Sequence, residues 1–154
     1  MAQRNALLGR IRARAAGSDA LDAWDLELAR HGIGLMSDRA GAVERLGPPF
    51  TDRARELGLP GLAEVRYRPR SGAEGAEQLA AELAERRSAD LERGFTAHGP
   101  HRDELSLVFE GQPLRTYGSQ GQQRVALLAL LFAERNRRGA RRLMPPAPRS
   151  GSTR

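Results

Sequence analysis

Leu7, Leu8 and Ile11 recur at helical spacing, which predicts a helix over Asn5 to Ala16. Arg10 and Arg14 stand four apart and would share one face of it. Gly17-Ser18-Asp19 breaks that helix and caps the next. Leu21, Trp24, Leu28 and Leu35 follow at coiled-coil-like spacing, the mark of a helix lying against a partner helix. His31 falls in that stripe and reads as a half-buried residue rather than a ligand. Gly32, Gly34 and Gly41 each cost about 1 kcal/mol against alanine in a helix, so this one leans on its partner. Gly47-Pro48-Pro49 should end it, because proline lacks an N–H and clashes with the preceding turn. A short helix over Phe50 to Leu57 is expected next, stopped by Gly58 and Pro60.

The rhythm then changes. Ala63 to Arg68 alternates apolar and polar, as a half-buried strand does. Pro69 to Gly75 is a loop. Ala76 to Glu92 returns to helical spacing, with Leu79, Leu83 and Leu91 toward the core and Glu82, Glu85, Arg86 and Arg87 solvated. Leu105 to Phe109 is a strand, Glu110 to Pro113 a turn, and Leu114 to Tyr117 the returning strand of a hairpin. A polar loop, Thr116-Tyr117-Gly118-Ser119-Gln120-Gly121-Gln122-Gln123-Arg124, then runs into the unbroken apolar stretch Val125 to Ala133. Such a stretch implies a helix buried on all sides. The first N–H groups of a helix lack intrahelical partners and carry partial positive charge, which suits an anion such as phosphate. Ser119 and Gln122 also have the spacing of a capping box, which needs no ligand. Both readings stand at this point. Beyond Arg135 the chain is rich in arginine, then in Pro, Ser and Gly, the composition of a disordered tail.

Charge and composition narrow the partners. The net charge is +6, which favours polyanions. All 25 basic residues are arginine. Without a lysine no segment can be a working Walker A motif, whose Lys reaches the nucleotide phosphates. There is no cysteine, hence no disulfide framework or thiolate chemistry. No apolar run approaches the ~18 residues of a membrane span, and the start lacks a signal-peptide core, so a soluble cytoplasmic chain is expected. His98 and His101 lie near Asp103 and Glu104, but no second ligand cluster exists and no metal site is expected. Ser119 is not in a G-x-S-x-G elbow, so hydrolase chemistry is set aside.

Four motifs carry a resemblance. Gly118-Ser119-Gln120-Gly121-Gln122-Gln123-Arg124 resembles the signature motif of ABC-type ATPases, in the variant of the RecF family of DNA repair proteins. Phe95-Thr96-Ala97-His98-Gly99-Pro100-His101-Arg102-Asp103-Glu104-Leu105 resembles the same family's GPHRD segment. Gln3-Arg4-Asn5-Ala6-Leu7-Leu8 and Trp24-Asp25-Leu26-Glu27-Leu28 are similar to two further landmarks, in family order. The resemblance implies an α/β but mostly helical fragment. A helical arm with coiled-coil-like packing would span 1–92 and a segment of an ABC-type head 93–136, where a β-hairpin leads into the buried signature helix. A basic, Pro-rich disordered tail would span 137–154.

By the same resemblance Ser119, Gln120, Gly121 and Gln122 would contact ATP, with its Mg²⁺, held by another subunit. That subunit would be a second RecF-type protomer or another Walker A-bearing chain. DNA would be a partner, met by Arg10, Arg14, Arg66 and Arg68, with RecO and RecR as further partners. The implied role is in DNA damage repair, replication and the SOS response: loading a recombinase at gaps. The chain also looks partial. Where an acidic Walker B strand and D-loop should follow the helix it has Arg141-Arg142-Leu143-Met144-Pro145-Pro146, and no Walker A lobe is present. Alone it is expected to hold no cofactor, carry no catalytic residue and lack ATPase activity. A basic helical module that binds nucleic acid by charge alone, and a remnant with no stable fold, remain as alternatives.

Overall fold

The structure is a computed structural model that describes residues 1–143, with side chains through residue 136. The element order is α1 (Ala2–Arg12), α2 (Leu21–Glu56), β1 (Ala63–Arg68), α3 (Ala76–Glu85), α4 (Arg87–Arg93), β2 (Glu104–Phe109), β3 (Gln112–Pro113), α5 (Leu114–Tyr117) and α6 (Gln120–Leu143). Short 3-10 turns precede α2 and β2. The fold is therefore the expected α/β one, mostly helical with a small sheet of order β1-β2-β3. Among the described residues no helix is long and apolar enough to cross a membrane.

The chain divides into two compact units that are not consecutive stretches. One comprises Met1–Val43 and Arg66–Leu105, the other Glu44–Val65 and the chain from Ser106 onward. This division does not coincide with the one read from the sequence at Glu92.

In the first unit, Leu7 and Leu8 of α1 pack with Leu21 of α2, flanked by Trp24 and Leu91. Ala29 and Met36 of α2 pack with Leu79 and Leu83 of α3. The buried stripe of α2 thus runs Leu21, Asp25, Ala29, Gly32, Met36. Leu35 and His31, expected in the stripe, are exposed. Gly32 explains part of the shift. A Cβ there would stand 3.0 Å from both Leu79 and Pro100, so only glycine lets those groups lie so close.

The helix expected to Ala16 ends at Arg12. Arg14 takes the left-handed φ of 57°. The Arg14 N–H donates to the Ile11 carbonyl and the Ala15 N–H to the Arg10 carbonyl, the bond pair of a Schellman cap. Arg10 and Arg14 consequently do not share a helical face. Glycine is the residue that tolerates this φ, so Arg14→Gly is expected to stabilise the chain by roughly 1 kcal/mol. Urea melts of the two proteins check it, and an unchanged midpoint would mean the cap is not strained.

The helix predicted over 76–92 is two. At Arg86 the backbone moves to φ −94°, ψ 3°, and α4 restarts with Arg87 and Asp90 turned toward α1 and α2. Neither Glu82 nor Arg87 is simply solvated, since each is tied to side chains of other elements.

In the second unit the expected break at Gly47-Pro48-Pro49 does not occur, and α2 continues to Glu56. The prolines deprive the Glu44 and Arg45 carbonyls of their i+4 donors, but both residues are exposed and water can replace them. Thr51 Oγ1 stands 3.1 Å from the Gly47 carbonyl and 2.6 Å from that of Ala63, tying the helix past the prolines to the start of β1. The helix ends at Gly58, φ 94°, in a second Schellman cap.

Glu110 and Gly111 both take positive φ, the two-residue turn that matches strand twist. The register pairs Phe109 with Gln112 and Val108 with Pro113, antiparallel. The returning strand stops there, because Pro113 has no N–H to continue the ladder. Leu114 to Tyr117, expected as strand, is instead the turn of helix α5.

In α6 the expectation of all-round burial fails. Ala126, Ala129 and Ala133 are buried, whereas Leu127, Leu128, Leu131 and Phe132 on the opposite side are exposed. The helix runs on to Leu143, into the stretch expected as tail; residues 144–154 lie outside those described.

Candidate functional site

Three of the four motifs meet inside the first unit, around one buried arginine. Arg4 lies on the inward side of α1 beside Leu7 and Leu8 and is 1% exposed. Its Nε donates to Asp25 Oδ1 at 2.6 Å. Its Nη1 donates to Asp90 Oδ2 at 2.8 Å and to the Thr96 hydroxyl. Thr96 in turn donates its hydroxyl and its N–H to Asn5 Oδ1. The second oxygen of Asp90 accepts the Ala97 N–H at 2.9 Å, and the second oxygen of Asp25 accepts Arg87 Nε at 2.7 Å. Arg87 also binds Asp22. Burial favours neutral Arg87, but its bonds to Asp22 and Asp25 outweigh that and hold its pKa above the ordinary value. Two carboxylates are thus buried against two guanidiniums, and among the described residues only Arg4 Nη2 is a buried side-chain polar atom without a partner.

The segment after Thr96 is locked in the same way. Gly99, φ 117°, allows the turn. His98 Nε2 lies 2.6 Å from Glu82 Oε2, which also accepts the Ser71 hydroxyl at 2.6 Å. Burial pushes the Glu82 carboxyl up, but the bonds from Ser71 and His98 and the nearby Arg86 charge prevail and hold it below its usual range. His101 Nε2 is 2.9 Å from the Thr96 carbonyl. Asp103 accepts the Arg70 N–H at 2.8 Å, Arg39 at 3.2 Å, and the Tyr67 hydroxyl. Burial and the Asp103 carboxylate together push Tyr67 up to about 12. Both histidines are therefore engaged as structural partners. Among the described residues no three His, Cys, Asp or Glu side chains group as a metal would require.

The fourth motif is in the second unit and is arranged differently. Ser119 precedes the first residue of α6. Its N–H donates to Gln122 Oε1 at 2.9 Å, and the Gln122 N–H donates to Ser119 Oγ at 3.2 Å. The capping box read from the spacing is present. Gln123 Nε2 closes on the Gly118 carbonyl at 2.9 Å, and the Gln123 N–H on that of Ser119 at 3.0 Å.

The box leaves donors unspent. Among the described residues the Gln120 and Gly121 N–H groups have no protein acceptor, and Ser119 Oγ accepts a bond without needing to donate its own hydrogen. Ser119, Gln120 and Gly121 are exposed. Capping and anion contact are therefore compatible at this helix start. A Cβ on Gly121 would stand in ordinary contact with Ser119 Oγ, at 3.8 Å.

Arg10, Arg14, Arg66 and Arg68 are all exposed. Arg66 and Arg68 share one face of β1, two residues apart. The Arg4 network was not foreseen. Its signals were an arginine beside Leu7 and Leu8 and an aspartate one helical turn after Leu21, but only the fold brings them together.

No family model matches the chain. Individual proteins do. The DNA replication and repair protein RecF of Anaeromyxobacter sp. is 44% identical over 116 residues, covering 70% of this chain and 31% of that protein. RecF of Synechocystis sp. is 40% identical over 147 residues, covering 86% and 38%. The structure of the recombination mediator protein RecF–ATPrS in the RecFOR pathway superposes with a TM-score of 0.79 at 29% identity, again over 86% of this chain and 38% of that one. The chain spans less than two-fifths of the length of these relatives.

Proposed function

We propose, on the premise that this chain is a RecF-type segment over most of its length, that it serves DNA repair by presenting the start of α6 to ATP held by a second chain. The observation that carries the reading is the state of that helix start. It is capped, exposed, and still has the Gln120 and Gly121 N–H groups and the Ser119 hydroxyl to donate. Phosphate oxygens are the acceptors such donors and the helix dipole favour. Gln122 holds the turn that aims them. Mg²⁺ would come with the nucleotide and is not held by these residues.

DNA is the second partner, met without sequence preference by Arg10, Arg14, Arg66 and Arg68. RecO and RecR, and the loading of a recombinase at gaps, follow for this chain only from its relation to RecF. A likeness to RecF structures solved with ATP or its analogue ATPrS supports the nucleotide part.

Association with a Walker A-bearing RecF-type partner tests the reading. Binding should require ATP. Ser119→Arg removes the hydroxyl and puts a bulky cation at the helix start, and should weaken association about tenfold or more, the value of one charge-assisted hydrogen bond. If the variant associates as the parent does, Ser119 is a cap and nothing else. DNA affinity should fall steeply with salt and show no ATP requirement in the isolated chain. DNA binding with no ATP-dependent association would favour the plain basic module.

A further inference from the structure

A cavity of about 630 Å³ opens in the first unit, lined among others by Arg70, Arg86, Arg93, Asp90 and His98. None of its residues belongs to the helix start or to the four arginines assigned to DNA above. Arg70 follows β1, Arg86 sits at the break between α3 and α4, and Arg93 is the last residue of α4. The end of β1 and the two ends of α4 thus bring three arginines to one space.

The protein balances the charge there only in part, through Glu82 beside Arg86. Some surface arginines find carboxylates, as Arg30 does with Glu27, Arg53 with Glu56 and Arg55 with Asp52. Among the described residues Arg70, Arg86 and Arg93 form no such pair. The one acid in the lining, Asp90, is fully buried and has both oxygens spent, one on Arg4 and one on the Ala97 N–H. Glu82, near Arg86, is engaged by Ser71 and His98. Gathering like charges is unfavourable unless something anionic joins them. The volume is that of a small-ligand site. The guanidinium fork matches phosphate oxygens bidentately. No Phe, Tyr or Trp lines the space and the His98 ring is held by Glu82, so recognition centres on phosphate.

We infer that this cavity is a phosphate-binding site, with Arg70, Arg86 and Arg93 as its ligands. The phosphate belongs to a nucleic-acid backbone or to a free polyphosphate.

Titrations of the full chain with a short DNA duplex and with tripolyphosphate test this. Arg70→Gln/Arg86→Gln/Arg93→Gln is compared with Arg10→Gln/Arg14→Gln, and the single variant Arg93→Gln guards against a folding defect in the triple one. The triple variant should bind at least one of the two ligands tenfold or more weakly, with Arg93→Gln reduced in the same direction. Loss of duplex binding, with the salt slope reduced by about three phosphate contacts, identifies the backbone as the source. Loss of tripolyphosphate binding alone identifies the free anion. If the parent binds neither ligand, or if the cavity variants bind both as the parent does, the inference is overturned. Duplex binding lost only in Arg10→Gln/Arg14→Gln, with tripolyphosphate binding intact in the cavity variants, would overturn the cavity while leaving the proposed DNA contact standing.

Discussion

Replacing Arg4 with alanine is expected to cost about 3–5 kcal/mol, enough to leave much of the chain unfolded, because it strands the buried Asp90 carboxylate and takes one of two cations from Asp25. Asp25 and Asp90 are 2% and 0% exposed. Asp25 keeps the Arg87 guanidinium, but Asp90 keeps only the Ala97 N–H and loses the charge that compensates its burial. Arg4→Lys should recover only part of the loss. A single ammonium cannot reproduce a fork that reaches Asp25 through Nε and Asp90 through Nη1. Arg53→Ala is the internal control. It breaks a surface pair, Arg53 with Glu56, whose loss should cost under about 1 kcal/mol. Urea denaturation followed by circular dichroism measures all three. An Arg4→Ala midpoint close to that of Arg53→Ala would show that the network does not hold the fold.

The second large effect is expected at α6. Leu127, Leu128, Leu131 and Phe132 are 54%, 48%, 58% and 40% exposed, while three alanines face inward. Covering each half-exposed side chain is worth about 1 kcal/mol. Four together would strengthen self-association by roughly a thousandfold. The isolated chain should therefore associate at micromolar concentration and bind hydrophobic dyes. Leu127→Gln/Leu128→Gln/Leu131→Gln should restore the monomer while lowering the unfolding midpoint only modestly, since about half of each side chain is already exposed. Sedimentation velocity decides: a parent chain that is monomeric at high concentration contradicts it.

These two sites show where the sequence was readable. The limits of β1 and the Ser119–Gln122 box follow from spacing alone, because a period of two and a four-residue cap are local. The register of α2 does not. Its buried stripe includes Asp25 and Gly32, which no apolar pattern selects, and which are inward because Arg4, Leu79 and Pro100 lie against them. The prolines at 48 and 49 mislead for a similar reason: their cost falls on exposed carbonyls, and Thr51 secures the helix beyond them. In α6 the run Val125 to Ala133 is apolar throughout, so sequence cannot tell which side the protein covers. The motifs themselves were legible as a family pattern, but their jobs were not. Arg4, Asn5, Asp25, Thr96, His98 and Asp103 are bonded to one another or to neighbouring scaffold residues, whereas among the described residues the Ser119 motif keeps backbone donors unspent.

That contrast is the core of the account, and backbone amide chemical shifts test it most directly. Adding ATP together with a Walker A-bearing RecF-type partner should move the Gln120 and Gly121 amide resonances strongly, leave those of Asn5, Asp25 and Thr96 in place, and do neither when ATP or the partner is omitted. Gln120 and Gly121 amides that stay still in the ATP-bound complex would contradict it.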